Sequence, residues 1–483
     1  MMKIITMDSG TGIGGHSKSI LEMTTSKLDY ESPFIVENGV TKSHEVIIRT
    51  QSNTENGPIE FHLQPDPEKY IDPTTFQLHG KVGLRVKHNN MWKPLSWSEN
   101  LREFLRQLKE KDNNLEQLAL TDAEEIKYGV VNNFFSSMIS SLVCKLNDCE
   151  IGDTSTNSYP YLSYLQTLLG TSASQSGSEI LSSQLFIKDA PENMEAPNTS
   201  ISDTPYHKRR KVLFEREWVD FHIPIHSDLA TCEKYLPPNS KLSFIFKRVD
   251  DEFSLWNAEG EEHQFHIVLD DLYVTLHKLE VTPKILKNHY DKYVKADNPL
   301  KIKFTENVLK TFAVPQHSFE MTHHNLFFGN HLPEKVYSVV VEQAAFNGDI
   351  RKNPFFFETA GIKEAYLTVN SVNEPNPPYQ IIEGSEENSA YLKFLANTGT
   401  SLFEMESVNV SAADYKNGYF VLAFDRSPTR DNGLYSHKPQ SGSMSIKIKC
   451  KEETPKNYMV LVIASFEKAL VFHGDKVYTE SIY

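Results

Sequence analysis

The residues that could do chemistry are few, and their spacing suits none of the common reactions. Gly10-Thr11-Gly12-Ile13-Gly14-Gly15 fits the GxGxxG pattern, follows a strand-like Lys3-Ile4-Ile5-Thr6, and has Glu37 where a ribose-binding acid would be sought. A dinucleotide site also needs alternating strands and helices, and the chain downstream runs strand after strand with polar loops. The expectation is a flexible Gly-rich arm with no cofactor. His222 and His226 share a strand face but stand too far apart along it to hold one metal, and adjacent His323 and His324 point to opposite faces. Cys144, Cys149, Cys232 and Cys450 form neither a CxxC pair nor a zinc spacing, so they read as free, mostly buried thiols of a reducing compartment. Asp270-Asp271 and Glu386-Glu387 read as solvated acids of loops or strand edges. HExxH, GxSxG and P-loop patterns are absent. No catalytic, cofactor-binding or metal-ligating set emerges, and the chain is not expected to be an enzyme.

One basic cluster stands out, His207-Lys208-Arg209-Arg210-Lys211. It reads as a solvated loop rim before a strand Val212 to Phe214, with a nuclear localisation signal or direct nucleic-acid contact as the alternatives. The whole chain carries a formal charge of −15. That balance argues against a general nucleic-acid binder and against attachment to anionic membranes. No apolar run reaches the roughly 20 residues of a membrane span, and Met1 to Thr6 lacks a secretory apolar region. Synthesis and folding in the cytosol are the expectation.

The elements that would position any site are strands. At 483 residues the chain is long enough for two large domains, and its 28 Phe and 21 Tyr favour β-rich packing. Alternation of period two marks Phe76 to Val86, Val219 to Ile225, Leu242 to Phe246, Leu272 to Leu276 and Met444 to Cys450. Ser137 to Leu146, Val336 to Val341, Tyr366 to Val369, Tyr419 to Phe424 and Tyr458 to Phe472 are further strand candidates. Helical pattern is sparse: Leu101 to Leu108 after Ser98, and Pro283 to Val294. Thr171 to Ser183 and Asp189 to Thr204 read as one long mobile excursion.

The halves echo each other. Tyr161-Leu162-Ser163-Tyr164-Leu165 matches Tyr391-Leu392-Lys393-Phe394-Leu395, each after a strand ending at an Asn, Asn147 or Asn370. Each half closes with a long apolar strand, His266 to Val281 and Tyr458 to Phe472. Repetition at half-chain length with around eight strands per copy predicts a mainly β protein of two jelly rolls, eight-stranded sandwiches side by side, with short helices in loops. The predicted division is an arm or irregular lead-in at 1–55, a first jelly roll at 56–282 with its long loop at 171–211, a linker helix at 283–299, and a second jelly roll at 300–483.

The segment Asn325-Leu326-Phe327 … Gly329 … Leu332-Pro333 … Phe346-Asn347-Gly348 … Asn353-Pro354-Phe355 sets turn formers between large apolar groups. It resembles the major capsid proteins of Polinton (Maverick) elements and adintoviruses, of the adenovirus hexon-like lineage. Asn157-Ser158-Tyr159-Pro160-Tyr161, Asn417-Gly418-Tyr419 and Gly442-Ser443-Met444-Ser445-Ile446 carry the same resemblance, which runs from about Asn133 to Tyr483. Asn100 to Glu125 looks like an insertion. The resemblance implies a double jelly roll that trimerises into pseudo-hexagonal capsomers tiling an icosahedral shell, with a single jelly-roll penton or minor capsid protein as partner. It places the chain in the virion, with possible assembly in the nucleus, and without sequence-specific nucleic-acid binding. Phe327-Phe328 and Phe355-Phe356-Phe357 are expected in cores or trimer interfaces. The competing readings are a receptor- or glycan-binding jelly-roll protein of a virion and a dinucleotide-dependent enzyme.

Overall fold

The computed structural model describes residues 38–50, 57–88, 91–94, 129–147, 149–175, 178, 181, 184–196, 204–214, 216–257, 265–381, 389–399, 408–428, 436–474 and 476–482. The Gly10 to Gly15 motif, Glu37, the helix expected over Leu101 to Leu108 and Glu386-Glu387 lie outside them.

Period-two alternation becomes two β-sandwiches. The first uses β1 (Val40–Arg49), β2 (Ile59–Leu63), β3 (Lys69–His88), β4 (Ile139–Leu146), β5 (Cys149–Ile151), β6 (Val219–Pro224), β7 (Leu242–Arg248) and β8 (Phe265–Val281). The second uses β9 (Leu300–Val314), β10 (Glu320–Gly329), β11 (Lys335–Glu342), β12 (Ile362–Val369), β13 (Val372–Gln380), β14 (Leu422–Asp425), β15 (Gly442–Cys450) and β16 (Tyr458–His473). The first half pairs its strands as β1-β8-β3-β6 and β2-β7-β4-β5. The second pairs them as β9-β16-β11-β14 and β10-β15-β12-β13. Adding eight to each label of the first half gives the second, so the topology is the same twice, and it is that of a jelly roll.

The reasons are local. In β6 Val219, Phe221 and Ile223 are buried while Asp220, His222 and Pro224 are exposed. In β15 Met444, Ile446, Ile448 and Cys450 are buried in the same rhythm. The fourth and fifth strands of each half turn at the same device, an Asn in left-handed conformation. Asn147 has φ 54°, and Asn370 and Ser371 have φ 48° and 69°, the pair of positive values a two-residue hairpin needs. The Asn370 carboxamide also bridges strands, accepting from Ser443 N at 3.0 Å and donating to Ser441 O at 3.0 Å. It occupies the space where a Cβ on residue 442 would stand, so Gly442, at φ 137°, is required there.

The echoed segments prove topologically equivalent. Helix α1 (Ser158–Gly170) and a second helix (Ser389–Asn397) each lie between the fifth and sixth strands of their half. The expected linker is helical, Pro283–His289, and continues as a π-helical turn over Tyr290–Lys295.

Three expectations are corrected. Residues 40–49 fell within the irregular lead-in but form β1, paired with β8 along its length. As an edge strand it is mostly exposed, so it has no apolar rhythm to read. The strand expected from Ser137 starts at Ile139, because Phe134–Ser137 is a helical turn. Val212 to Phe214, expected as a strand, is the last turn of helix α2 (Pro205–Phe214).

Candidate functional site

Among the described residues, aromatic, amide and charged groups converge on the seam between the two sandwiches, and helix α1 of the first half builds one side of it. Tyr161, Tyr164, Leu165 and Leu168 recur at helical spacing and are buried in the core of the second half. Tyr159, on the opposite face, is buried in the core of the first. Across the seam, Tyr161 stacks on Phe346 at 5.9 Å, and Tyr164 stacks on Phe355 at 4.3 Å with the rings 2° from parallel. Phe357 meets Tyr164 edge-on at 5.7 Å. Asn157, which precedes α1, donates from Nδ2 to Phe346 O at 3.1 Å. Phe355 and Phe357 are fully buried, as the core alternative for them required. Phe327 and Phe328 part company, because neighbours on a strand face opposite ways: Phe327 is buried and Phe328 is 81% exposed.

The long loop at 171–211, with its stretches 171–183 and 189–204 expected to be mobile, supplies the second side of the seam in its described residues. Phe186 and Met194 are buried in the second-half core. Tyr419 Oη donates to Asp189 O at 2.7 Å, and Asn353 Nδ2 donates to Met194 O at 3.0 Å. Lys188 Nζ pairs with Asp414 and donates to Asn409 O at 2.7 Å. Asp189 and Met194 bind the other half through backbone carbonyls, and Lys188 binds it through its ammonium group.

The basic cluster belongs to the same construction, and its reading as a solvated loop rim is overturned. Tyr206, Arg209, Arg210 and Leu213 form the buried stripe of α2, while Lys208 and Lys211 are exposed. Arg209 is fully buried: Nη1 pairs with Asp189 Oδ1 at 3.0 Å and donates to Ile187 O at 2.8 Å, and Nε donates to Val130 O at 3.3 Å. Burial pushes the Asp189 carboxyl up from the usual carboxylate range, and the guanidinium pulls against it. With both arginines inside, the folded chain presents no continuous basic surface at 207–211. The spacing of Tyr206, Arg209, Arg210 and Leu213 was the available signal for a helix, hidden by the charges between.

A third contact runs along the edge of β9. Thr305 N donates to Thr231 Oγ1 at 2.8 Å, and Glu233 N donates to Lys303 O at 3.3 Å. Asn307 donates to Asp228 Oδ1 from its backbone N at 3.2 Å and from Nδ2 at 2.9 Å. Ile302, Phe304, Leu470 and Val477 of the second half complete the core of the first.

The remaining candidates stay apart. His222 is exposed and stacks on His79 at 6.0 Å, while His226 lies past the end of β6 and bonds Gln166. His323 packs against Phe312 and His324 is exposed. Asp270 and Asp271 are exposed at an irregularity of β8, where Asp271 pairs with Arg49 at 3.0 Å. The four cysteines are free, and burial pushes the Cys144 and Cys232 thiols up to about 12. Among the described residues no group of three or more His, Cys, Asp or Glu could hold a metal, and no helix is long and apolar enough to cross a membrane.

No family model matches the chain. An uncharacterized protein of Caenorhabditis elegans is 19% identical over 350 residues, 71% of this chain and 80% of that one. A chain from the cryo-EM structure of the Sputnik virophage superposes with a TM-score of 0.57 at 10% identity, over 99% of this chain and 95% of that one. Both sandwiches are matched together, in one arrangement. The chain is a double jelly roll. The Faustovirus major capsid protein shares this fold, with a TM-score of 0.52 at 7% identity over 91% of this chain and 92% of that one. In this double jelly roll the segment from Asn325 to Phe357 lies in the second barrel and reaches the seam through Phe346, Phe355 and Phe357. Its aromatic rings bind the barrels to each other.

Proposed function

We propose that the chain is a major capsid protein, which trimerises into pseudo-hexagonal capsomers that tile an icosahedral shell. The observation that carries this reading is the duplicated strand order of this chain, in a fold that superposes on the Faustovirus major capsid protein over 91% of this chain and 92% of that one. A subunit of two like barrels contributes two corners of a hexagon, and three copies close a ring that leaves no open surface inside it. Such a ring needs the barrels at a fixed angle. The seam, with its stacked rings, supports that rigidity. Candidates for contact between copies are Phe319, Phe328 and Val372 of the second barrel, exposed at 57%, 81% and 60%. The partners in this reading are further copies and a single jelly-roll penton or minor capsid protein. The location is the virion capsid, after synthesis in the host cytosol, with the nucleus as a possible place of assembly.

Light scattering of the purified chain tests the reading. The expected mass is about 166 kDa, three times the 55.2 kDa chain. A stable monomer at micromolar concentration contradicts it.

A further inference from the structure

Where the turn Asp228–Thr231 docks on β9, a small cavity opens on the seam, lined by Asp153, Ser158, Tyr159, His226, Asp228 and Asn307, among others. Its hydrogen bonding is incomplete in a specific way. Asp228 is 5% exposed, and its Oδ1 already accepts twice from Asn307 of the second barrel. Its Oδ2 has no partner among the described residues, nor has His226 Nε2, and both atoms are buried. His226 Nδ1 lies 2.8 Å from Gln166 Oε1; the amide oxygen accepts, so Nδ1 carries the proton and Nε2 presents a lone pair. An ionised Asp228 would thus leave two buried acceptors on one cavity with no protein donor for either among the described residues, an arrangement that costs free energy.

We propose that Asp228 is a proton-gated latch between the barrels: protonated at Oδ2 it supplies the donor that the described side chains around the cavity do not, and deprotonated it weakens the docking of turn 228–233 on β9. The groups facing it come from every neighbouring element. Asp153, before α1, is occupied by Ser155 N and Leu309 N. Glu306 on β9 pairs with Lys468. Cys144 on β4 bonds Ser227 at 3.1 Å, and Tyr159 on α1 accepts from His226 N at 3.2 Å. Cys232 lies at the end of the turn. None of these is a cation able to neutralise Asp228, and Asp153 and Glu306 oppose its charge.

The titration agrees with the geometry. Burial, against the Asn307 hydrogen bonds and helped by Glu306 and Asp153, pushes the Asp228 carboxyl up to about 7. Burial holds the His226 imidazole down to about 4. The two pull stability in opposite directions. From about pH 4 to pH 7 the folded chain keeps a proton on Asp228 that the unfolded chain has released, so this contribution is lost as pH rises. From about pH 6.5 down to 4 the unfolded chain protonates His226 and the folded chain does not, so that contribution is lost as pH falls. In the wild type the two offset each other, and single substitutions separate them.

Urea denaturation of the purified full-length chain between about pH 5 and pH 6.5 reads both. Relative to wild type, the folding constant of Asp228→Asn should rise about tenfold per pH unit, and that of His226→Gln should fall about tenfold per unit. A constant ratio for Asp228→Asn means the carboxyl is ionised throughout and overturns the latch. Should that variant not fold, His226→Gln decides by hydrogen exchange. Protection of the Thr305 and Asn307 amides must fall as pH rises, after correction for intrinsic chemistry, and unchanged protection overturns the proposal. The latch lies within one chain, so neither measurement depends on assembly.

Discussion

Arg209→Ala should destabilise the folded chain by about 3–5 kcal/mol, the cost of leaving one partner of a buried ion pair uncompensated. Asp189 is enclosed with Arg209, and the guanidinium also serves the carbonyls of Ile187 and Val130. Removing it strands a carboxyl that burial already pushes towards its neutral form. Urea denaturation reads the loss directly. Arg209→Met together with Asp189→Leu should recover part of it, because no charge then remains to be solvated while the Ile187 and Val130 carbonyls stay without their donor. A loss below about 1 kcal/mol in the single variant would place the pair at a site open to water.

Phe355→Ala should cost about 3–5 kcal/mol, as expected for emptying a fully buried aromatic site. The cavity would open between the barrels, since Phe355 stacks on Tyr164 and meets Tyr161 and Phe253 edge-on at 5.7 and 6.2 Å. Phe328→Ser is the contrasting change. Its ring is exposed, so the isolated chain should keep its stability to within about 0.5 kcal/mol. Comparable losses at Phe355 and Phe328 would show that the seam is not where the aromatic rings of this segment act.

The sequence was legible where one face of a strand is buried and the other is wet. Val219 to Ile225 and Met444 to Cys450 alternate because each has a core side and a solvent side. The duplication was legible through Tyr161 and Tyr391, because both sit on helices at one topological position. What escaped was structure that a single-element pattern cannot encode. β1 is an edge strand with little to bury, so it left no rhythm. Asp189 and Arg209 lie in stretches that read as polar loop and basic rim, because a buried ion pair looks in sequence like two solvated charges. Phe328 follows Phe327 with the same composition and the opposite fate, decided only by which face of β10 meets the core. The seam was hidden for the same reason: its residues come from α1, 184–196, 204–213, 228–233, β9 and Phe346 to Phe357, which only the tertiary fold brings together.

The central claim is that two fixed barrels per chain form a closed ring of three chains. Electron microscopy of the purified protein tests it most directly. Threefold particles with a hexagonal outline of six similar lobes are expected. Isolated two-lobed particles at concentrations where capsomers should persist would contradict it.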